Sequence, residues 1–151
     1  MTTSAHPTTS PAAPAPDVPY RPTRRTVLGA LWLFAILNYV YCDVLGTHDV
    51  DYLNGILTGD GTGGSVQLTP TMLLGASVLM TIPISAVLVT RIAGRALARW
   101  WSIAAGVVMT LVQTASLFVG ETTVYYAYFS AIEIPTTALI AVIAWRWTRE
   151  A

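Results

Sequence analysis

The sequence has no lysine, a single cysteine, Cys42, and only two histidines, His6 and His48, in 151 residues. One cysteine cannot form an internal disulfide or a C-x-x-C redox pair. Both histidines lie outside the long apolar runs, so an intramembrane haem lacks its usual ligand and a buried Ser-His pair cannot form. The spacing of His48, Asp49 and Asp51 is not that of a metal site. We therefore expect no enzyme activity, no metal and no cofactor.

Charged residues are also scarce, at 11% of the chain, whereas hydrophobic residues make up 54% and the mean hydropathy is +0.57. A helix needs about 20 apolar residues to cross a hydrocarbon core about 30 Å thick. Four runs reach that length, at about residues 26–46, 70–90, 100–119 and 123–147. The sequence predicts an all-α fold, a bundle of four transmembrane helices within a membrane domain at residues 26–147.

The arginines indicate how the bundle is oriented. They fall in three segments that share one side of a four-span protein: Arg21, Arg24 and Arg25; Arg91, Arg95 and Arg99; Arg146 and Arg149. The other side, residues 47–69 and 120–122, has acidic residues and no arginine. The positive-inside rule then places both termini in the cytoplasm and the protein in the cell's inner (plasma) membrane.

Arg91, Arg95 and Arg99 follow one another at helical spacing. We expect the second helix to continue past the membrane and to present them as one basic stripe toward anionic lipid headgroups. The lipid bilayer is therefore the predicted partner of these side chains, and nucleic acid is not.

Two segments are expected to lie outside the bundle. Residues 1–25 are rich in Thr, Ser, Ala and Pro, which is typical of a disordered tail, here on the cytoplasmic side. Residues 47–69 form the extracytoplasmic loop. Within it Val50, Leu53, Ile56 and Leu57 repeat at helical spacing and predict a short surface helix, and the glycine-rich stretch that follows has the composition of a linker.

Glu133 stands near the middle of the fourth span, two residues before Pro135. A carboxylate at that depth is costly, which favours its neutral acid form. Asn38 is expected about 12 Å, and Gln113 about 10 Å, from the outer ends of their spans, so both share a similar depth. Tyr126 shares a helical face with Glu133, whereas Asp43 points elsewhere than the face of Asn38, Tyr41 and Cys42.

Two spans also share a short pattern, which raises the possibility of an internal repeat. Thr81-Ile82-Pro83 in the second span aligns with Glu133-Ile134-Pro135 in the fourth. The alignment continues for three more residues, through Ala86 and Ala138. The pattern fits two parallel two-helix repeats with a site between them, and equally fits a coincidence of small-residue packing. Ser77, Thr81 and Ser85 form a small-residue stripe suited to helix packing, and such stripes also suit a homo-oligomer.

Two functions fit these residues. In the first, a small carrier or ligand-binding subunit uses the intramembrane Glu to bind a proton or small ligand. The candidate site residues are Glu133, Asn38, Gln113, Thr81 and Tyr126, with backbone breaks at Pro83 and Pro135. In the second, a structural or partner-binding component uses the Glu only to pack the bundle, as a neutral acid donating to an amide oxygen or to a carbonyl that a proline leaves free.

The strings LWLFAILNYVYCDVL, LLGASVLMTIPISAVLV, LVQTASLFVG and YYAYFSAIEIP resemble a bacterial family of small four-helix integral membrane proteins catalogued as a domain of unknown function. The resemblance covers the four spans and implies their architecture without an activity. It also implies a Glu before Ile-Pro in the second span, where this chain has Thr81, so a paired-carboxyl site is not carried over. A looser similarity, in topology alone, is to the DoxX-like proteins.

Overall fold

The computed structural model describes residues 21–58, 69–119 and 122–147. Most of the predicted tail, the glycine-rich linker and Arg149 lie outside these ranges. Four of the five helices found there are long and apolar enough to cross a membrane, and the described residues contain no strand. The helices are α1 Arg24–Gly46, α2 Val50–Thr58, α3 Pro70–Ile92, α4 Arg95–Ser116 and α5 Val124–Trp145.

Local sequence signals explain where several helices begin. The Thr69 hydroxyl accepts a hydrogen bond from the Met72 N–H at 3.2 Å, and Pro70 occupies the first turn of α3, as its sequence predicts. The predicted surface helix of the loop is α2. The Asp49 carboxylate caps its start by accepting from the N–H groups of Asp51 and Tyr52, at 3.1 and 3.2 Å.

The prediction that α3 continues past the membrane is wrong. Ala93 and Gly94 adopt extended backbone conformations, with ψ of 162° and 154°, which end α3 and start α4 at Arg95. Arg91 and Arg95 therefore lie on different helices, and with Arg99 they do not form one helical stripe.

The four long helices form a closed four-helix bundle, which confirms the predicted fold class. α1 packs against α3 and α5, and α4 packs against the same two helices. Neighbours run antiparallel: Trp101 of α4 donates to Ser85 of α3, and Arg24 of α1 donates to the Arg146 carbonyl just after α5. We call the end where α1 and α4 begin the arginine end, and the opposite end the loop end.

α1 faces the core through residues spaced alternately four and three apart. The buried side chains from Leu28 to Cys42 are Leu28, Trp32, Ala35, Tyr39 and Cys42. The predicted face of Asn38, Tyr41 and Cys42 is therefore displaced by one residue, since Asn38 is half-buried and Tyr41 is exposed. This face combines the large side chains of Leu28, Trp32 and Tyr39 with the small ones of Ala35 and Cys42.

α4 and α5 approach each other closely at Gly106 of α4. A Cβ atom at this position would lie 2.9 Å from the Thr137 carbonyl oxygen and 3.1 Å from the Ala141 Cβ of α5. Neither of these neighbours is the end of a flexible side chain. Glycine therefore sets the separation of α4 and α5 at this level.

α3 packs mainly through its half near the arginine end, where Pro83, Ala86 and Thr90 are buried. From Pro70 to Val78 every residue is exposed. The predicted packing stripe lies only partly on the packing face. Ser85 is half-buried and contacts Trp101 of α4, whereas Ser77 and Thr81 are exposed and their hydroxyls donate to carbonyls of their own helix, at 2.8 Å each.

The positions aligned as an internal repeat face different ways. Thr81 is exposed whereas Glu133 is buried, and Pro83 is buried whereas Pro135 is exposed. The order of helix contacts is one that two parallel hairpins would produce. The six-residue alignment, however, does not pair structurally equivalent positions.

Arginine and tryptophan side chains organise the arginine end. The Arg99 guanidinium donates to the carbonyls of Ala144 and Trp145 at 3.2 and 3.1 Å, so it caps the end of α5 instead of facing only lipid headgroups. Trp145 is 61% exposed, which suits a tryptophan at the membrane interface, whereas Trp147 is only 6% exposed and forms part of the core.

Candidate functional site

Glu133 lies near the middle of α5, about 14 Å from Val124 and about 18 Å from Trp145 along the helix axis. Its side chain is 1% exposed, and its Oε1 atom is buried with no hydrogen-bond partner. The buried face of α5 also carries Ser130 and Thr137, the face that helical spacing predicts. A carboxyl group is therefore enclosed by protein in the middle of a membrane-spanning segment.

Tyr39 of α1 is the second polar group without a partner in this region. Its side chain is 5% exposed, and its hydroxyl is buried without a hydrogen bond. Tyr39 and Cys42, one turn further along α1, both lie within electrostatic range of Glu133. The α1–α5 side of the bundle thus holds a carboxyl, a phenol and a thiol in the same neighbourhood.

Asp43 is a neighbour of Glu133 that the sequence reasoning missed. It interacts electrostatically with Glu133, although its own side chain is exposed. Asp43 follows Tyr39 by four residues, so both lie on the same side of α1. The signal that could have found it is the spacing of the small residues Ala35, Cys42 and Gly46. They mark the face of α1 that packs against its neighbours, and Asp43 lies at the edge of that face.

The α4–α5 side differs because its polar groups are paired across the interface. The Gln113 Nε2 donates to the Ser130 Oγ at 2.9 Å, and the hydroxyls of Thr110 and Thr137 share a hydrogen bond of 2.8 Å. These bonds lie one turn on either side of Glu133. They join α4 to α5 without using the Glu133 carboxyl.

Above Glu133, polar side chains continue toward the loop end. The Tyr126 hydroxyl donates to the Ser116 Oγ at 2.6 Å, and Tyr126 itself is half-buried. Beyond the spans, Tyr52 of α2 covers Gly46. Burial raises the pKa of the Tyr52 phenol, and the negative charge of Asp43 raises it further. Polar groups are thus present at each level between Glu133 and the loop end.

The structure brings only some of the predicted site residues together. Glu133, Gln113 and Tyr126 lie on the packed faces of α4 and α5. Gln113 is closer to the loop end than predicted, because α4 ends at Ser116. Asn38 donates to the Phe34 carbonyl of its own helix at 2.8 Å, and Thr81 is exposed, so the structure does not place either of them against the carboxyl.

In the described ranges no group of three or more His, Cys, Asp or Glu side chains is placed to hold a metal ion. His48 instead shares a hydrogen bond of 2.9 Å with the Val44 carbonyl, and Asp49 is the cap of α2.

Comparison with known proteins gives one family. The family of unknown function DUF6326 matches residues 18–151, a range that includes all five helices. Neither the curated proteins nor the solved structures gave a match, and the similarity to DoxX-like proteins is not shown. With a match over most of its length and four apolar membrane-spanning helices, this chain belongs to the family of unknown function DUF6326.

Proposed function

We propose that this membrane protein is non-catalytic and binds a proton or a small neutral polar ligand at Glu133, as a small carrier or as a ligand-binding subunit. The observation that supports this is the Glu133 Oε1, which is buried and has no hydrogen-bond partner. A buried polar atom left unpaired costs about 1–3 kcal/mol. Intramembrane ionisable residues that bear such a cost commonly belong to functional sites.

The position of Tyr39 supports a ligand that contacts α1 and α5 together. Its unpartnered hydroxyl and the Glu133 carboxyl supply a donor and an acceptor from two different helices. A proton bound on Glu133 removes its charge, and a small ligand with its own donor and acceptor satisfies both groups at once. Asp43, exposed and closer to the loop end, supports access from that end.

The alternative is a structural or partner-binding component in which Glu133 only packs the bundle. The pairing of Gln113 with Ser130 and of Thr110 with Thr137 counts against it, since α4 and α5 are already joined without the carboxyl. Under this alternative Glu133→Gln changes neither stability nor any binding property.

Infrared spectroscopy of the protein in nanodiscs tests the proposal. The carboxyl C=O band of Glu133 is assigned by its loss in Glu133→Gln, and Asp43→Asn identifies the band of the exposed carboxyl. Under the proposal the Glu133 band changes reversibly with pH, because water or a ligand reaches the site. A band that keeps one intensity at every pH at which the bundle stays folded means a sealed group, and rules the proton site out.

The orientation is part of the same proposal. The positive-inside rule supports a cytoplasmic arginine end in the inner (plasma) membrane, so that the Glu133 site is approached from the extracytoplasmic side.

A further inference from the structure

A cavity of about 570 Å³ lies at the arginine end, bounded by the starts of α1 and α4 and by Trp147, two residues after the end of α5. Its charged lining residues are all arginines: Arg21, Arg24, Arg25 and Arg95. Trp147, which is only 6% exposed, supplies an apolar wall. The cavity therefore combines concentrated positive charge with a fixed aromatic surface.

Three of the four arginines that line this cavity have no counter-charge among the residues that the structure describes. The fourth, Arg24, donates to the Arg146 carbonyl at 2.8 Å, which fixes one edge of the cavity. Arg21, Arg25 and Arg95 form no hydrogen bond or ion pair with any other described residue. Their guanidinium groups keep their planar sets of donors available to a ligand.

Two helix N-termini add to the positive potential. α1 begins at Arg24 and α4 at Arg95, so the positive end of each helix dipole lies beside the arginines. Gly94, which precedes α4, makes no side-chain capping hydrogen bond to its first N–H groups. Arginine beside a helix N-terminus is unfavourable when no anion is present, and an anion bound between them removes the repulsion.

We propose that this cavity binds the phosphate group of an anionic phospholipid headgroup. The planar guanidinium group of arginine can donate two parallel hydrogen bonds to one phosphate group. Basic cavities between transmembrane helices bind anionic lipid headgroups. The exposed Trp100 and Trp145 at the same end are side chains typical of the membrane interface, the depth at which headgroups lie. This site is distinct from the predicted surface stripe, since only Arg95 belongs to both.

Native mass spectrometry of the full chain, released from nanodiscs, measures the proposed binding. The nanodiscs contain phosphatidylcholine with a stepwise increasing fraction of phosphatidylglycerol. The wild type is expected to retain one phosphatidylglycerol per chain in preference to phosphatidylcholine. The double variant Arg21→Gln/Arg95→Gln should lose this retention by about tenfold or more, because paired charge-assisted hydrogen bonds are removed.

The matched control is Arg91→Gln/Arg146→Gln, which removes the same charge at the same end but outside the cavity. The control should retain the lipid within about twofold. Equal losses in both double variants would mean general charge attraction and would overturn the site. Because the wild-type preference for phosphatidylglycerol needs no variant, its absence overturns the proposal even if a variant fails to fold.

A competition arm separates the two sources of phosphate. Inorganic phosphate at millimolar concentration is added to the wild type before release. Retention of the lipid supports the headgroup as ligand, whereas displacement of the lipid by inorganic phosphate overturns the lipid assignment and identifies a site for free phosphate.

Discussion

At the scale of single residues, two sets of buried or half-buried polar side chains differ in their hydrogen bonding. Thr110, Gln113 and Tyr126 each form a hydrogen bond between α4 and α5. Tyr39 and Glu133, on the α1–α5 side, each leave a buried oxygen without a partner. The first set joins two helices, and the second has hydrogen-bonding groups that the fold does not use.

Two tyrosine variants test this division, because Tyr→Phe removes only a hydroxyl group. Tyr39→Phe is expected to leave thermal stability unchanged or slightly raised, since it deletes an unpaired buried hydroxyl. Tyr126→Phe breaks the bond to Ser116 and should cost about 0.5–1.5 kcal/mol. Unfolding in detergent measures both. A loss in Tyr39→Phe as large as in Tyr126→Phe would show that the Tyr39 hydroxyl has a partner.

A pair of threonines on α4 provides a second test. The Thr110 hydroxyl shares a hydrogen bond with Thr137 of α5, whereas the Thr114 hydroxyl is exposed and donates only to the Thr110 carbonyl of its own helix. Thr110→Val should therefore destabilise the protein by about 0.6–1.7 kcal/mol, the range of membrane interhelical hydrogen bonds. Thr114→Val is the control, with an expected change near zero in the same unfolding measurement.

The residue-scale predictions from sequence were right where they depended on the periodicity of one helix. Helical spacing puts Ser130, Glu133 and Thr137 on one face of α5, and all three are buried. They failed where they depended on relations between helices. Depth alone put Asn38 beside Gln113, but depth does not give the rotation of a helix about its axis, and Asn38 bonds to its own helix.

At the scale of helices, α4 and α5 make the most extensive contact, and Gly106 lies at a close approach between them. An added methyl group would meet a backbone oxygen, so the helices must move apart and lose contact along their length. The glycine of α3 is in an open environment instead. Gly75 has no atom within 4 Å of an added Cβ, so a side chain there meets open space.

The two glycines allow a matched substitution. Gly106→Ala should destabilise the bundle by about 1–3 kcal/mol, the usual cost of overpacking. Gly75→Ala should not destabilise it, because it adds helix propensity at an exposed position. Thermal unfolding of both variants in the same detergent decides the matter, and equal stability of the two variants would contradict the close approach at Gly106.

The lengths of the helices were predictable from sequence, but their packing faces were less so. In lipid, both packed and exposed faces are apolar, so hydrophobic periodicity carries little information on which side of a helix is buried. α3 shows this: its small polar stripe at Ser77 and Thr81 is exposed, and Pro83, Ala86 and Thr90 are buried. The break at Gly94 was also missed, because apolar and basic residues continue on both sides of it.

At the scale of the whole molecule, positive and negative charges lie at opposite ends of the bundle. The described arginines are at one end, and the acidic residues of the described loop, Asp49 and Asp51, are at the other. The sequence alone predicted this separation, because it depends only on the number of spans and on where charges fall between them.

Cysteine labelling tests the orientation that this separation supports. Ala96 is exposed at the arginine end and Thr122 at the loop end, and the native Cys42 is buried. In a Cys42→Ala background, Thr122→Cys should react with a membrane-impermeant maleimide in intact cells, and Ala96→Cys only after permeabilisation. The reverse pattern would show that the arginine end faces outward.

The exposed segment of α3 from Pro70 to Val78 has a consequence for the surrounding lipid. Because every residue of this segment is exposed, this half of α3 presents its whole circumference to its surroundings and not one face only. In a bilayer, acyl chains cover these exposed side chains and form a further layer of packing against this half of α3. The melting temperature should therefore vary with acyl-chain length and unsaturation, and lipid composition becomes part of what determines the folded shape.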